Sequence, residues 1–345
     1  MFQSVRAKVL AFLVAFIFVI AGVFIFSNQN NAPKDGKTAQ KSNSERTQIK
    51  VGYVNVAQSL TTFVAQEKNY FKDQGLNVEL VKFESPALIQ DAIISGNIDV
   101  AGTSGTGIAA IAFSKDPNQF KIFNTSYADK DYPSDVLVVG KDITANSLAD
   151  LKGKTVAIVP GPQFKTVFNF MAKQAGLNPS EAGGTGDIFY RELAVTDQLT
   201  ALQGGQIQAI LGLDPVGTKA EATGVGKKIG ISPISTALGF KFYGSSGLIN
   251  QKFAKENTQS AQKVIKAFDQ AIEDVQKNPN AQRQYLDKYL GIKEPVLSKV
   301  ALQAYLKSNE LKDSDIQEIQ KYFNIFQDQG LIKNKVEVRD MIFKN

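Results

Sequence analysis

The sequence predicts an α/β fold built as two similar lobes, with a helical C-terminal region and an N-terminal transmembrane helix. Three observations carry that prediction. Strand and helix signals alternate from Ile49 to Leu213, a helix–glycine–strand segment recurs within that stretch, and an apolar run stands near the start of the chain.

The apolar run comes first. Val9 to Phe26 is eighteen residues in which Gly22 alone is not apolar, with Arg6 and Lys8 before it and Ser27 to Asn31 polar behind it. At about 1.5 Å per residue it nearly crosses a bilayer core. Cleavable signals carry an apolar stretch of about 7–15 residues and a small-x-small cleavage site. Phe24-Ile25-Phe26 makes a poor one, so an uncleaved anchor is read in preference to a cleaved signal. Basic residues ahead of the run place the N-terminus inside and the body outside. Ser27 to Gln48, rich in Asn, Lys, Gln, Ser and Thr, reads as a solvated tether.

The body follows element by element. Ile49 to Val54 alternates and is β-branched, a strand; Leu60 to Phe71 carries apolar residues at helical spacing and stops at Gly75. Asn77 to Phe83 is a second strand, Ser85-Pro86 opens a helix through Ile94, and Ile98 to Ala101 is a third strand running into an apolar helix that ends at Phe113. This order argues for a parallel sheet. Asp135 to Val139 and Thr155 to Val159 are strands, Gln163 to Ala175 a helix, Ile188 to Leu193 a strand, Asp197 to Gln203 a helix and Ile207 to Leu213 a strand. Ala92 to Ala101 and Ala201 to Ile210 share the pattern helix, glycine stop, short strand, which suggests duplication. Phe240 to Asn250 reads as a strand or crossing segment. Beyond it Thr258 to Lys277, Ala281 to Leu290, Pro295 to Lys307 and Ser314 to Gln329 read as helices.

Composition restricts the chemistry. The 345 residues include no Cys, no His and no Trp. That excludes disulfides, thiolate nucleophiles, Cys or His zinc sites, Ser-His-Asp triads and imidazole acid–base catalysis. The net charge of +6 invites a nucleic-acid reading. However, Arg6, Lys8, Lys34, Lys37, Lys41 and Arg46 stand against only Asp35 and Glu45 before Ile49, so the body is near balance and that reading falls away.

In open parallel sheets ligands sit beyond the carboxyl ends of the strands. The turns there are Asn55 to Thr61, Glu84-Ser85, Gly102 to Thr106, Pro160 to Thr166, Ala194 to Asp197 and Leu213 to Pro215. They offer hydroxyls, small residues and helix N-termini suited to a small polar or anionic group; plain N-capping is the competing role for each. Gly102 to Gly107 lacks the Lys-Ser/Thr of a phosphate loop, and no dinucleotide motif is present. Tyr53, Tyr127, Tyr132, Phe164, Tyr190, Phe240, Phe242 and Tyr243 lie near these turns, with core packing the expected role for most. Asp214 is the carboxylate best placed to face a cleft, or else it caps the next helix.

Ile49 to Phe113, with IKVGYV, FVAQEKNYFKDQGLNVELVKF and SGNIDVAG, resembles the first lobe of ABC-transporter substrate-binding proteins of the nitrate/sulfonate/taurine and thiamine-precursor type. Leu148 to Ala157 is similar to that family's entry into its second lobe, and Ala201 to Pro215 to its later helix–strand–turn segment. Gln208, Asp214 and Gly217-Thr218 depart from the family pattern. The resemblance implies a periplasmic-binding-protein type II fold. Lobe 1 would comprise residues 49–135 and 244–345 and lobe 2 residues 136–243, behind the anchor (1–26) and linker (27–48). Carried over by motif, the pocket would use Asn55, Gln58, Ser59, Glu84, Thr103 and Ser104 from lobe 1. Pro160, Gly161, Gln163, Thr196 and Asp214 would come from lobe 2.

The function so implied is capture of a small organic solute outside the cytoplasm by a membrane-anchored monomer, for an ABC permease and ATPase. It involves no cofactor, no metal, no nucleic acid and no catalysis. Two alternatives remain: an enzyme on the same fold, which the lack of His opposes, and a tethered sensor, for which only residues 1–8 would lie inside. No Arg falls in the pocket turns and Lys165 is the one Lys there, which leaves room for a neutral, aromatic or amine-bearing solute.

Overall fold

The computed structural model describes residues 48–344. The apolar run and the tether as far as residue 47 lie outside the described residues; among the described ones no helix is long and apolar enough to cross a membrane.

The chain opens with β1 (Ile49–Val54), α1 (Leu60–Glu67), α2 (Tyr70–Asp73), β2 (Val78–Phe83), α3 (Pro86–Ile94), β3 (Val100–Gly105), α4 (Thr106–Lys115) and β4 (Phe120–Ala128). It continues into β5 (Asp135–Gly140), β6 (Thr155–Ile158), α5 (Pro162–Gln174), β7 (Pro179–Glu181), β8 (Ile188–Glu192), α6 (Val195–Gln203), β9 (Ala209–Leu213), α7 (Val216–Ala222), β10 (Gly226–Ile229) and α8 (Pro233–Leu238). The return comprises β11 (Phe242–Asn250), α9 (Gln251–Glu256), α10 (Thr258–Lys277), α11 (Pro279–Gln282), α12 (Gln284–Leu290), β12 (Ala304–Lys307), α13 (Asp313–Asp328) and α14 (Val338–Met341).

Two six-stranded sheets result, in the orders β12-β4-β11-β3-β1-β2 and β10-β5-β9-β6-β8-β7. Both are mixed, which corrects the expectation of a parallel sheet. In the first, β2, β1 and β3 are parallel and β11 runs antiparallel to β3. In the second, β8, β6 and β9 are parallel and β5 runs antiparallel to β9. The two antiparallel strands are those by which the chain enters each sheet from the other, so the sheets share one internal order. The paired glycines of the recurring segment, Gly96 and Gly205, take φ of +74° and +71°, the left-handed turn that ends a helix before a strand.

Pro295 to Lys307 is not one helix: Leu297–Lys299 forms a single 3-10 turn and the end of the stretch is a strand. Ala304 to Lys307 pairs antiparallel with β4, with Ala304 opposite Tyr127 and Lys307 opposite Asn124. The helix read over Ala281 to Leu290 is likewise two short ones, α11 and α12.

Each sheet buries both faces. One face of the first is sealed by α1 and α10, where Phe63, Phe268 and Ile272 are fully buried. α10 presents Ala261, Val264, Ile265, Phe268 and Ile272 at helical spacing, enough to hold a twenty-residue helix onto a sheet. A second apolar cluster runs from Ile89 and Ile98 of the first lobe to Leu137 and Val156 of the second without a break.

Asp135 opens β5 where the chain passes from the first sheet to the second, and it is 1 % exposed. Burial pushes its carboxyl up to about 6, against the pull of the Ile234 N–H, which Oδ2 accepts at 2.6 Å. Burial also pushes Asp269 of α10 up to about 6. The folded state therefore holds these protons more tightly than the unfolded chain, whose carboxyls titrate near 4. Stability is lost as pH rises from about 4 to about 6, by roughly 3 kcal/mol for a two-unit shift. Asp135→Asn keeps the acceptor for Ile234 and removes the titration. Its urea midpoint should match the wild type near pH 4 and exceed it at pH 7; equal midpoints at pH 7 would show that Asp135 ionises freely.

Candidate functional site

The carboxyl ends of β1, β3 and β9 and the residues just beyond β6 converge with the start of β11. Because β11 is antiparallel, its first residues lie beside the last of β3, with Ser245 opposite Gly105. Between the two lobes lies a cavity of about 20 Å³ lined by Val54, Val56, Pro86, Thr103, Ser104, Gly105, Val159, Gln163, Phe164, Val195, Leu213, Gly244 and Ser245. That is room for about one water. A solute requires the lobes to part or a side chain to withdraw. Wider depressions exist beside Lys121 and Arg339, and beside Lys141 and Gln208, but both lie at the sheet ends away from this convergence.

Two helices start at the cavity. α4 begins at Thr106 after Gly105, and α5 at Pro162 after Gly161, whose φ of +113° suits a residue without a Cβ. No carboxylate, ammonium or guanidinium lines the cavity. Lys165, on the next face of α5, is exposed and sets its ammonium 5.5 Å from the Tyr190 ring centre.

Of the residues expected here, Thr103, Ser104 and Gln163 line the cavity. Thr103 Oγ1 donates to the Gln58 carbonyl at 3.3 Å, and Ser104 Oγ to Gln90 Oε1 at 3.2 Å. Gln58 is 2 % exposed, and neither atom of its carboxamide has a partner among the described residues; Asn55 Oδ1 and Gln90 Nε2 are also unpaired. None of these three residues lines the cavity. Gly161 is half-buried and gives its N–H to Glu192 Oε1 at 2.9 Å, with Pro160 half-buried before it.

The remaining expected residues are turned to other work. Ser59 Oγ donates to the Val54 carbonyl at 2.7 Å. Glu84 is exposed and pairs with Lys82 at 3.0 Å. Thr196 is exposed and bonds Asp197, while its neighbour Val195 lines the cavity. Asp214 is fully buried but off the cavity: its carboxylate accepts from Thr218 N at 3.0 Å, Thr218 Oγ1 at 2.7 Å and Ala301 N at 2.9 Å. It caps α7 and ties that turn to the C-terminal return. The sequence marks Gly244 and Ser245 only as part of a strand or crossing segment. A glycine that acts through its carbonyl has no side chain to signal it. Of the aromatics near the turns, Phe164 alone lines the cavity, and Phe242 and Tyr243 are core.

Among the described residues no group of three or more acidic side chains is placed to hold a metal ion. The lining offers hydrogen bonding and apolar contact.

The family model described as NMT1/THI5 like matches residues 56–282. A curated relative, 4-amino-5-hydroxymethyl-2-methylpyrimidine phosphate synthase THI11 of Saccharomyces cerevisiae, is 23% identical over 231 residues; the match takes in 65% of this chain and 66% of that protein's length. The alkanesulfonate-binding protein SsuA of Xanthomonas axonopodis pv. citri, solved bound to MOPS, is similar in fold with a TM-score of 0.69 at 18% identity, over 88% of this chain and 100% of that one. The periplasmic aliphatic sulphonate binding protein SsuA of Escherichia coli gives 0.67 at 20% identity, over 87% and 99%. The periplasmic nitrate-binding protein NrtA of Synechocystis PCC 6803 gives 0.63 at 14%, over 85% and 84%.

Proposed function

This chain belongs to the NMT1/THI5-like family, and on that premise we propose that it is an extracytoplasmic solute-binding protein that traps a small organic solute between its lobes and delivers it to an ABC permease. One observation carries the reading: the cavity at the strand ends is bounded by both lobes and has room for about one water, so a solute enters only when the lobes part and is enclosed when they meet around it. A permease can then distinguish closed from open. The proposed pocket keeps Thr103, Ser104 and Gln163, with Gln58 and Asn55 as reserve donors and acceptors that a larger solute reaches once the lobes part. In the same reading residues 9–26 anchor the protein to the membrane, and it acts as a monomer.

The name of the yeast relative favours a second reading, an enzyme. Against it, the chain has no His and no Cys, and no titratable side chain lines the cavity to move a proton.

Thermal melting with sulfonates, nitrate, taurine, pyrimidine precursors of thiamine and riboflavin-like compounds tests the proposal. One class should raise Tm with rising concentration, by about 2.7 kcal/mol of stability at a hundredfold excess over Kd, and be recovered unchanged. Turnover of any of them, or no shift with all of them, would reject it.

A further inference from the structure

Gln163 is the second residue of α5, in the second lobe, yet both ends of its carboxamide are held by the first. Nε2 donates to the Gly244 carbonyl of β11 at 2.8 Å, and Oε1 accepts the Gly107 N–H of α4 at 2.8 Å. The amide orientation is fixed, because the flipped form would set N–H against N–H and oxygen against oxygen. The side chain is 3 % exposed. The notch that receives it is glycine backbone: a Cβ on Gly105 would stand 2.9 Å from Oε1. Neither bond survives separation of the lobes.

We propose that the Gln163 carboxamide is a built-in place-holder for the polar edge of the solute. The cleft would then select neutral solutes that present, side by side, an acceptor to Gly107 N–H and a donor to the Gly244 carbonyl. This rests on the solute-binding reading above and names its substrate class: carboxamides, lactams and ring edges of the same donor–acceptor pattern. A solute that displaces Gln163 inherits two buried backbone groups of opposite polarity, and leaving either unpaired is costly. A sulfonate or nitrate satisfies Gly107 and turns an oxygen on the Gly244 carbonyl. The lining agrees, since it holds no cationic side chain to offset burial of an anion. On the same wall Thr103 donates to the Gln58 main-chain carbonyl and Ser104 to Gln90 Oε1, and the side chains of Gln58 and Gln90 carry buried amide atoms with no partner among the described residues.

Trimming Gln163 to alanine removes the fragment that acetamide would replace, so the test needs no knowledge of the natural solute. Inter-lobe distance is read by paired fluorophores and by small-angle scattering on wild type, Gln163→Ala and Gln163→Glu, each checked for an unchanged circular dichroism spectrum. Both variants should be more open than wild type, the glutamate because its second oxygen faces the Gly244 carbonyl. Acetamide should close Gln163→Ala at concentrations at least about tenfold lower than methanesulfonate requires. A Gln163→Ala protein as closed as wild type, or closed equally well by methanesulfonate, would overturn the proposal. Closure by acetamide with no transported solute ever found would instead reject the transport reading and leave this subsite standing.

Discussion

Asp214→Ala is expected to lower folding stability by about 3–5 kcal/mol, and to do so without touching the cavity. The carboxylate is fully buried and satisfies two backbone N–H groups and a hydroxyl. One N–H belongs to α7 of the second lobe. The other belongs to Ala301, whose neighbours Val300 and Leu302 are packed in the first lobe's core. Alanine leaves both N–H groups unpaired, that of Thr218 buried and that of Ala301 half-buried, and unfastens the two segments from each other. Asp214→Asn should fall between, since its oxygen can still serve Thr218 N while its amide turns an N–H toward Ala301 N–H. Urea unfolding of the three proteins checks the order. A cooperative alanine variant of wild-type midpoint that no longer bound solute would return Asp214 to the pocket, the role its place after a strand suggested.

Asp214, which the sequence offers either as a cleft carboxylate or as a helix cap, shows how far the residues speak for themselves. β1, α3 and α10 are legible to the residue, because each carries its own signal: β-branched alternation in Ile49 to Val54, the Ser85 cap with Pro86 behind it, and a long apolar stripe in Thr258 to Lys277. β12 is not, because Ala304 to Lys307 has no strand signal of its own and is made a strand by the β4 edge it pairs with. β4 escapes notice for the opposite reason. Its residues are mostly buried on both faces and include Asn124, Thr125 and Ser126, so neither alternation nor an apolar run marks it. At the site, the turns were legible as strand ends, but the direction of each side chain was not. Ser59 and Asp214 look like ligand groups and are consumed by nearby backbone, whereas Gly244 looks like nothing and supplies a carbonyl.

Gly107→Ala should cost roughly 3 kcal/mol, the upper end for over-packing, although alanine is the better helix former. A Cβ there would lie 2.2 Å from Phe326 Cζ and under 3 Å from both Cε atoms. Phe326 cannot simply swing aside: it is fully buried and meets Tyr322 edge-on at 5.1 Å, and Tyr322 in turn meets Phe242 of β11 at 5.7 Å. The strain is relieved by moving the start of α4 away from α13, which carries the Gly107 N–H away from Gln163. Stability and lobe closure should therefore fall together. Phe326→Leu shortens the obstructing ring and costs stability alone, but combined with Gly107→Ala it should recover about 2 kcal/mol relative to the sum of the single changes. Closure should return with it, since the helix start can settle back. An alanine variant with wild-type midpoint would show that the glycine is dispensable for packing. A double variant that regained stability and stayed open would show that the N–H acts on closure through something other than its distance from Gln163.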